Sequence, residues 1–385
     1  MRVALVHSFH HEHVPSGENV VVRAQVDALR AAGHEVTLVA QSNDERGRRP
    51  GYRLEAAATT VTGIGPDPTA ELRRVRPDVV HVHNLFPNFG TRWLGRWPGP
   101  LVATLHNLRP LCAAGTLLRD GRRCTDCRTD PWAGVRHACF QQSRVATLPL
   151  AVAGRRGAAA HPVVRRADRL VAISHRVVDE YVAAGVDRAR FAVVPNAVPD
   201  VAPAASVPPA RPRWLFVGRL SAEKGVRELL DVWPDGVDLD VVGDGELAAD
   251  LRARALPPTV RLLGGRTNAE VRALLGRYTG LVVPSLWAEA GPPLTYVEAL
   301  AAGVPAVAWA GNGAADDVAA QGTGAVVDRA PTTAALAAAL DGVYRDRDRL
   351  AARCRAAYET RFSTGTWIDD LLGVYTDARR DAGGK

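Results

Sequence analysis

Lysine is almost missing from this chain: of 385 residues only Lys224 and Lys385 carry an ammonium group, so the other cations are arginine. With Ala, Gly and Pro abundant, that bias reads as the mark of a GC-rich genome more than of a selected basic surface. The net charge of +7 therefore does not argue for nucleic acid. No basic run is interleaved with aromatics, as a single-strand binder would need. Long apolar runs are missing too. No stretch approaches the roughly 18–20 residues of a membrane span. Ala146 to Val164 comes nearest, and Arg155 and Arg156 interrupt it. The opening MRVALVHSFHHEH has too short an apolar run for a signal peptide, with histidines where a cleavage site would stand. These absences point to a cytoplasmic protein. At 47% hydrophobic and 23% charged, the chain has an ordinary globular composition and enough length for two cores.

What is present is alternation. RVALVHSF, HEVTLVA, DVVHVHN, LVATLHN, DRLVAIS and FAVVPN read as strands separated by helical patterns, such as ENVVVRAQVDALRAAG ending at Gly33. A stretch rich in Pro and Ala follows. RWLFVG, VDLDVVG, VRLLGG, GLVVPS, PAVAWA and GAVVD then form a second series. Alternating strands and helices predict α/β architecture with parallel sheets. We expect two doubly wound, Rossmann-like domains facing an interdomain cleft, at residues 1–198 and 214–364, with a linker at 199–213 and a last helix in 365–385 packing back on the first domain. In such sheets ligands bind beyond the carboxyl ends of the strands.

Chemistry concentrates in WLFVGRLSAEKGVRELL. A strand ends at Gly218, Arg219 and Lys224 follow, and Gly225 opens a helix. Two cations beside a helix start form a receptor for a diphosphate, although a surface turn with solvated charges would also explain them. In PSLWAEAGPPLTYVEALAAGVPAV, Glu289 precedes Gly291-Pro292-Pro293 and Glu298 lies within the helix that follows. Free N–H groups at that helix start can meet phosphate oxygens, and the carboxylates can accept from hydroxyls. Taken singly, each Glu reads equally as a solvated surface residue.

Together these stretches resemble glycosyltransferase family 4, which is retaining and has the GT-B fold. The resemblance rests on Gly218-Arg219-Leu220 with Lys224-Gly225, on Glu298 to Pro305, and on VVGDGEL, VAIS, VPNAV and the N-terminal SGEN. It implies that the first domain binds the acceptor and the second the nucleotide sugar. Arg219 and Lys224 would hold the diphosphate, Glu298 the ribose and Glu289 the donor sugar, with His106 near the reacting carbon. Gly17, Ser174, Asn196, Gly218, Gly243, Gly245, Gly291, Leu294 and Thr295 would complete the donor site. Two features depart from the family. Eight residues separate Glu289 from Glu298 where seven are usual, and Ser16-Gly17 replaces a glycine pair.

Other readings of the same letters remain. Gly243 to Ala248 fits G-x-G-x-x-A, with Arg261 and Arg266 placed for a 2′-phosphate, so an NADP-dependent oxidoreductase is an alternative. A nucleotide-sugar epimerase and a non-catalytic sugar-nucleotide binder are others. Cys112, Cys124, Cys127 and Cys139 form C-x11-C-x2-C-x11-C in an insertion at about 107–145, which reads as a structural zinc site or as four ordinary thiols. His7, His10, His11 and His13 beside Glu12 read as acceptor-loop residues rather than a metal site. His11, His83, Asn84, Asn107 and Arg109 are the candidate acceptor contacts. The expected donor is a UDP- or GDP-sugar, and chemistry should need no cofactor, since Arg219 and Lys224 supply positive charge. The acceptor is expected to be a small molecule, such as an aminocyclitol or other secondary metabolite of antibiotic biosynthesis. A lipid-linked or cell-surface glycan is the alternative. A peripheral membrane contact through the Arg-rich insertion is not favoured.

Overall fold

The computed structural model describes residues 1–11, 16–200, 211–287 and 289–384. The chain divides into two compact units, one of Met1–Pro195 with the chain from Trp367 onward, the other of Asn196–Thr366. The core of the expected linker, 201–210, lies outside the described residues, and a strand already begins at Arg213.

The strands of the first unit are β1 (Arg2–Phe9), β2 (Glu35–Ser42), β3 (Val79–Val82), β4 (Leu101–Leu105), β5 (Leu118–Arg119), β6 (Arg122–Arg123), β7 (Arg169–Ala172) and β8 (Phe191–Val193). Six of them form a parallel sheet in the order β2-β1-β3-β4-β7-β8, while β5 and β6 pair as a small antiparallel hairpin. In β1 every residue after Arg2 is buried, as expected of a strand covered on both faces. The helix Gly17–Ala31 follows. Ser16 caps it by accepting from the Asn19 N–H at 3.3 Å, and Val22, Val26 and Leu29 give it a buried stripe. The long helix Thr364–Gly383 buries Trp367, Ile368, Leu371, Val374, Tyr375 and Ala378 along one face.

The second unit contains β9 (Arg213–Val217), β10 (Asp238–Val242), β11 (Val260–Gly264), β12 (Gly280–Val283), β13 (Ala306–Trp309) and β14 (Gly324–Val327). They run parallel in the order β11-β10-β9-β12-β13-β14. Along β9, Trp214 and Phe216 enter one apolar cluster and Leu215 the other, so both faces of the sheet are covered. The two-domain α/β expectation holds. Chain direction across the sheet reverses between β1 and β3 in the first unit and between β9 and β12 in the second. Ligand crevices of open α/β sheets form at such points, outside the strands' carboxyl ends. Among the described residues no helix is long and apolar enough to cross a membrane.

Candidate active site

In the second unit the loops after β9 and β12 meet. Gly225 has φ +68°, and a Cβ there would lie 2.1 Å from the Pro284 carbonyl oxygen. Only glycine permits that backbone contact. It brings Lys224 to Glu289: Nζ donates to Oε1 at 2.5 Å, and the Ser285 hydroxyl donates to the same oxygen at 3.1 Å. The Lys224 ammonium also stands 5.4 Å from the centre of the Trp287 ring. Glu289 is buried, and its Oε2 has no hydrogen-bond partner among the described residues. Arg219, just past Gly218, is half-exposed and pairs with Glu223 at 3.0 Å. A cation pair and a buried carboxylate with a spare oxygen therefore stand at this switch point.

Leu294 and Thr295 open the helix Leu294–Ala301, where first-turn N–H groups have no intrahelical acceptor. Gly291 sits in the loop leading to it. Glu298 is buried rather than solvated. Burial raises its carboxyl pKa, and Arg272, 3.1 Å away, works against that rise. Asn196 is half-buried at the start of this unit. Asn312 escaped the sequence reading. It donates to the Val283 carbonyl at 3.0 Å and accepts from the N–H groups of Ala314 and Ala315, fixing the loop after β12 to the next helix.

The dinucleotide reading has a different physical explanation. A Cβ on Gly243 would lie 1.9 Å from the Gly218 carbonyl oxygen, and one on Gly245 2.5 Å from that of Leu220. Both glycines let the β10 loop pack on the end of β9. Arg261 grips Asp240 with two hydrogen bonds of 2.7 Å and is not poised for a 2′-phosphate.

In the first unit the carboxyl ends of β1, β3 and β4 gather histidines. His83 Nδ1 and His106 Nε2 share a hydrogen bond of 2.8 Å, with the rings stacked. His81 stacks on His83 from the other side and bonds Thr104 at 2.7 Å and Tyr375 at 2.8 Å, with Gln25 also bonded to Tyr375. Burial holds all three imidazoles neutral: it lowers His81 and His106 to about 3 and His83 well below its usual value. One cavity of about 130 Å³ reaches His83, Asn84, His106, Asn107 and Arg109. Two imidazole nitrogens among its lining residues, His83 Nε2 and His161 Nδ1, are buried without partners among the described residues. Asn84 and Asn107 each use the side-chain oxygen to accept a nearby backbone N–H, which shapes the two strand ends. Arg109 lies over the rings of Phe86 and Phe140 at 4.6 and 5.4 Å.

Glu18, one residue past Gly17, also went unnoticed in the sequence. Burial lifts its carboxyl to about 7, opposed by Arg109 and by a hydrogen bond from Asn107. His7 and His10 stand 3.9 and 4.0 Å from its two oxygens. Its position after the glycine of SGEN was the available signal. Other expected residues are engaged elsewhere. His11 bonds Asp44 at 2.8 Å, and Ser174 caps the helix His175–Val182. Glu12 and His13 lie outside the described residues. The four cysteines are free thiols close enough for the other three to raise the pKa of Cys139, after the larger effect of burial. No three His, Cys, Asp or Glu side chains among the described residues form a metal-holding group, these cysteines included.

A family model described as glycosyl transferases group 1 matches residues 211–346, and one described as glycosyltransferase family 4 matches residues 15–200. A GDP-mannose-dependent alpha-mannosyltransferase of Mycolicibacterium smegmatis is 29% identical, covering 97% of this chain and 97% of the relative. A protein of the same description from Mycobacterium tuberculosis is 28% identical, covering 98% and 97%. Anabaena HepE, solved in complex with UDP, superposes with a TM-score of 0.61 at 17% identity, over 98% of this chain and 100% of that one. Sucrose-phosphate synthase from Thermosynechococcus elongatus does so at 0.67 and 17%, over 97% and 98%. The likeness to these structures shows the GT-B fold.

Proposed function

The chain belongs to glycosyltransferase family 4, and from that premise we propose that it is a retaining mannosyltransferase moving mannose from GDP-mannose to an acceptor hydroxyl. That it is a glycosyltransferase using a nucleotide sugar follows from the family. The observation supporting the donor site is the junction of Arg219, Lys224 and Glu289 at the β9/β12 switch point. In this reading the diphosphate draws Arg219 from Glu223 and shares Lys224 with Glu289. The two cations stabilise the charge that builds on the leaving phosphate. The N–H groups of Leu294 and Thr295 add to that grip, and Gly291 leaves room for the sugar. Glu289 Oε2, buried and unpartnered, takes a sugar hydroxyl, which suits a family position slipped by one residue. Glu298 faces the ribose.

The acceptor seats against His106, His83, Asn84, Asn107 and Arg109. The imidazoles there donate and accept hydrogen bonds, but burial lowers the pKa of His106 to about 3 and that of His83 well below its usual value, so both are poor acceptors of the acceptor hydroxyl's proton. The leaving phosphate therefore takes the acceptor's proton on the same face of the sugar, which retains configuration. Arg219 and Lys224 make a divalent cation unnecessary for this step.

The test is a thermal-shift panel of GDP, GDP-mannose, UDP, UDP-glucose and NADP+, followed by transfer assays with Arg219→Ala. Only ligands that bind the folded chain raise its melting temperature. GDP compounds should raise it most, and Arg219→Ala should remove both the shift and transfer. Transfer left intact in that variant, or a shift with NADP+ alone, would overturn the assignment.

A further inference from the structure

The helix Leu294–Ala301 carries one charged residue, Glu298. Its neighbours Tyr296, Val297, Ala299, Leu300 and Ala301 share an apolar cluster with Leu281 and Val283 of β12 and Ala306 and Ala308 of β13. A carboxylate set into such a helix costs stability unless a cation meets it. The cation comes from the helix Asn268–Leu275, which packs alongside. Arg272 Nη1 donates to Glu298 Oε1 at 3.1 Å. The two side chains are 28% and 5% exposed, so the pair stands at the edge of the core and not in open solvent, where ion pairs contribute little.

The helix that carries Arg272 is itself fixed at its start. Thr267 accepts from the Glu270 N–H at 3.3 Å, and Glu270 Oε2 accepts from the Thr267 N–H and hydroxyl, both at 2.8 Å. This capping box occupies Glu270, the helix's own carboxylate, and leaves Arg272 to Glu298. Among the described residues Arg272 makes no other hydrogen bond, and Glu298 Oε2 takes none. No second charge pairs with Glu298 there either. The helix Arg347–Arg361, packed against the same helix, brings Cys354 and Tyr358 into the shared cluster, while its Arg355 turns to Asp200 and Glu359 and its Arg361 to Asp317. Strand β12 offers only Gly, Leu and Val. Burial raises the Glu298 carboxyl pKa, and the hydrogen bond and charge of Arg272 oppose that rise.

A carboxylate anchored through one oxygen presents the other in a set direction. We propose that Arg272 is a positioning residue of the donor site: it holds Glu298 by Oε1, so that Oε2 meets the vicinal hydroxyls of a nucleoside diphosphate's ribose. Ribose is thereby told from a sugar lacking those hydroxyls, through a charge-assisted hydrogen bond that only an ionised, oriented carboxylate makes. This rests on the glycosyltransferase reading above, in which Glu298 faces the ribose.

Calorimetric titration of the full chain with GDP and with 2′,3′-dideoxy-GDP, at pH 8 and at pH 6, tests it. The ratio of the two affinities cancels the titration of the diphosphate, which both nucleotides share. Wild type should bind GDP about tenfold tighter than the analogue at both pH values. Without Arg272 the Glu298 pKa rises further, so the carboxyl protonates as pH falls from 8 to 6 and loses an acceptor. In Arg272→Gln the preference should therefore drop below about threefold at pH 6, with affinity for the analogue unchanged. Arg272→Lys keeps a cation and should keep the preference at both pH values. Arg272→Gln/Glu298→Gln buries no unpaired charge, which covers any instability of the single variant, and its preference should be below about threefold throughout. A full preference in Arg272→Gln at pH 6, or an equal loss of affinity for both nucleotides, as a merely structural ion pair would give, overturns the proposal. Wild type that binds GDP no better than the analogue overturns it too and leaves the diphosphate site standing. Wild type that binds neither nucleotide refutes the donor reading along with it.

Discussion

Acid should unfold the first unit while the second still stands. All 11 histidines lie between His7 and His175, so residues 196–366 contain none. Five of them, His7, His81, His83, His106 and His161, are held neutral mainly by burial. His7 and His161 are lowered to about 4, His81 and His106 to about 3, and His83 well below its usual value. A group whose folded pKa lies below its unfolded value binds fewer protons when folded. Its stability contribution is complete above about pH 6.5 and falls as pH drops toward the folded pKa. Between pH 7 and about 5.5 each such imidazole removes roughly 1 kcal/mol, so five remove roughly 5–6 kcal/mol.

Glu18 works the other way. Its pKa is raised to about 7, so protonation over the same interval returns roughly 1–2 kcal/mol. The net loss, about 3–5 kcal/mol, is a large part of the roughly 5–15 kcal/mol that holds a typical domain. Peptide-resolved hydrogen exchange at pH 7, 6 and 5.5, corrected for intrinsic rates, reads each unit separately. Protection should collapse first in β1, β3 and β4 while β9 and β12 keep theirs. His161→Asn removes one buried imidazole and should shrink the loss by roughly 1 kcal/mol. Equal loss in both units, or an unchanged slope in His161→Asn, would refute the account.

Two further outcomes follow from single groups. Lys224→Ala leaves the buried Glu289 carboxylate without its cation and should lower stability by about 3 kcal/mol. The double variant Lys224→Ala/Glu289→Ala should recover most of that in urea unfolding while transfer stays lost. Glu18→Gln removes a carboxyl whose raised pKa costs stability as pH rises from 4.5 toward 7. The variant should therefore gain up to about 3 kcal/mol above pH 7 and nothing near pH 4, while its KM for acceptor rises.

The features that were legible in the sequence are those whose cause lies within a few residues. β1, β9 and β12 each hold a short apolar run (Val3 to Val6, Trp214 to Val217 and Leu281 to Val283), and a run buried on both faces looks the same in any chain that forms a parallel sheet. Gly218-Arg219 and Lys224-Gly225 are likewise local, because a strand end, a turn and a helix start bring them together. Where the partner is distant, the letters mislead. Gly243 and Gly245 imitate a dinucleotide turn, yet the atoms that require their missing Cβ belong to Gly218 and Leu220. Glu18 looks like a helix-start acid, and nothing near it in the sequence shows that the fold buries it and brings Asn107 and Arg109, some ninety residues on, against its carboxyl. The exposed apolar stripes of Leu54 and Val61 on the helix Tyr52–Thr62, and of Val145 and Leu148 on the helix Arg144–Gly154, are the sharpest instance. On a helix wheel an apolar stripe implies a core, and nothing local distinguishes one that faces its own protein from one that faces outward. That distinction appears only when the two helices pack on each other and their stripes stay uncovered. The same two helices line the cavity through Thr59, Thr60, Leu150, Ala153 and Gly154, so the exposed stripes and part of the wall around His83 and His106 arise from one arrangement.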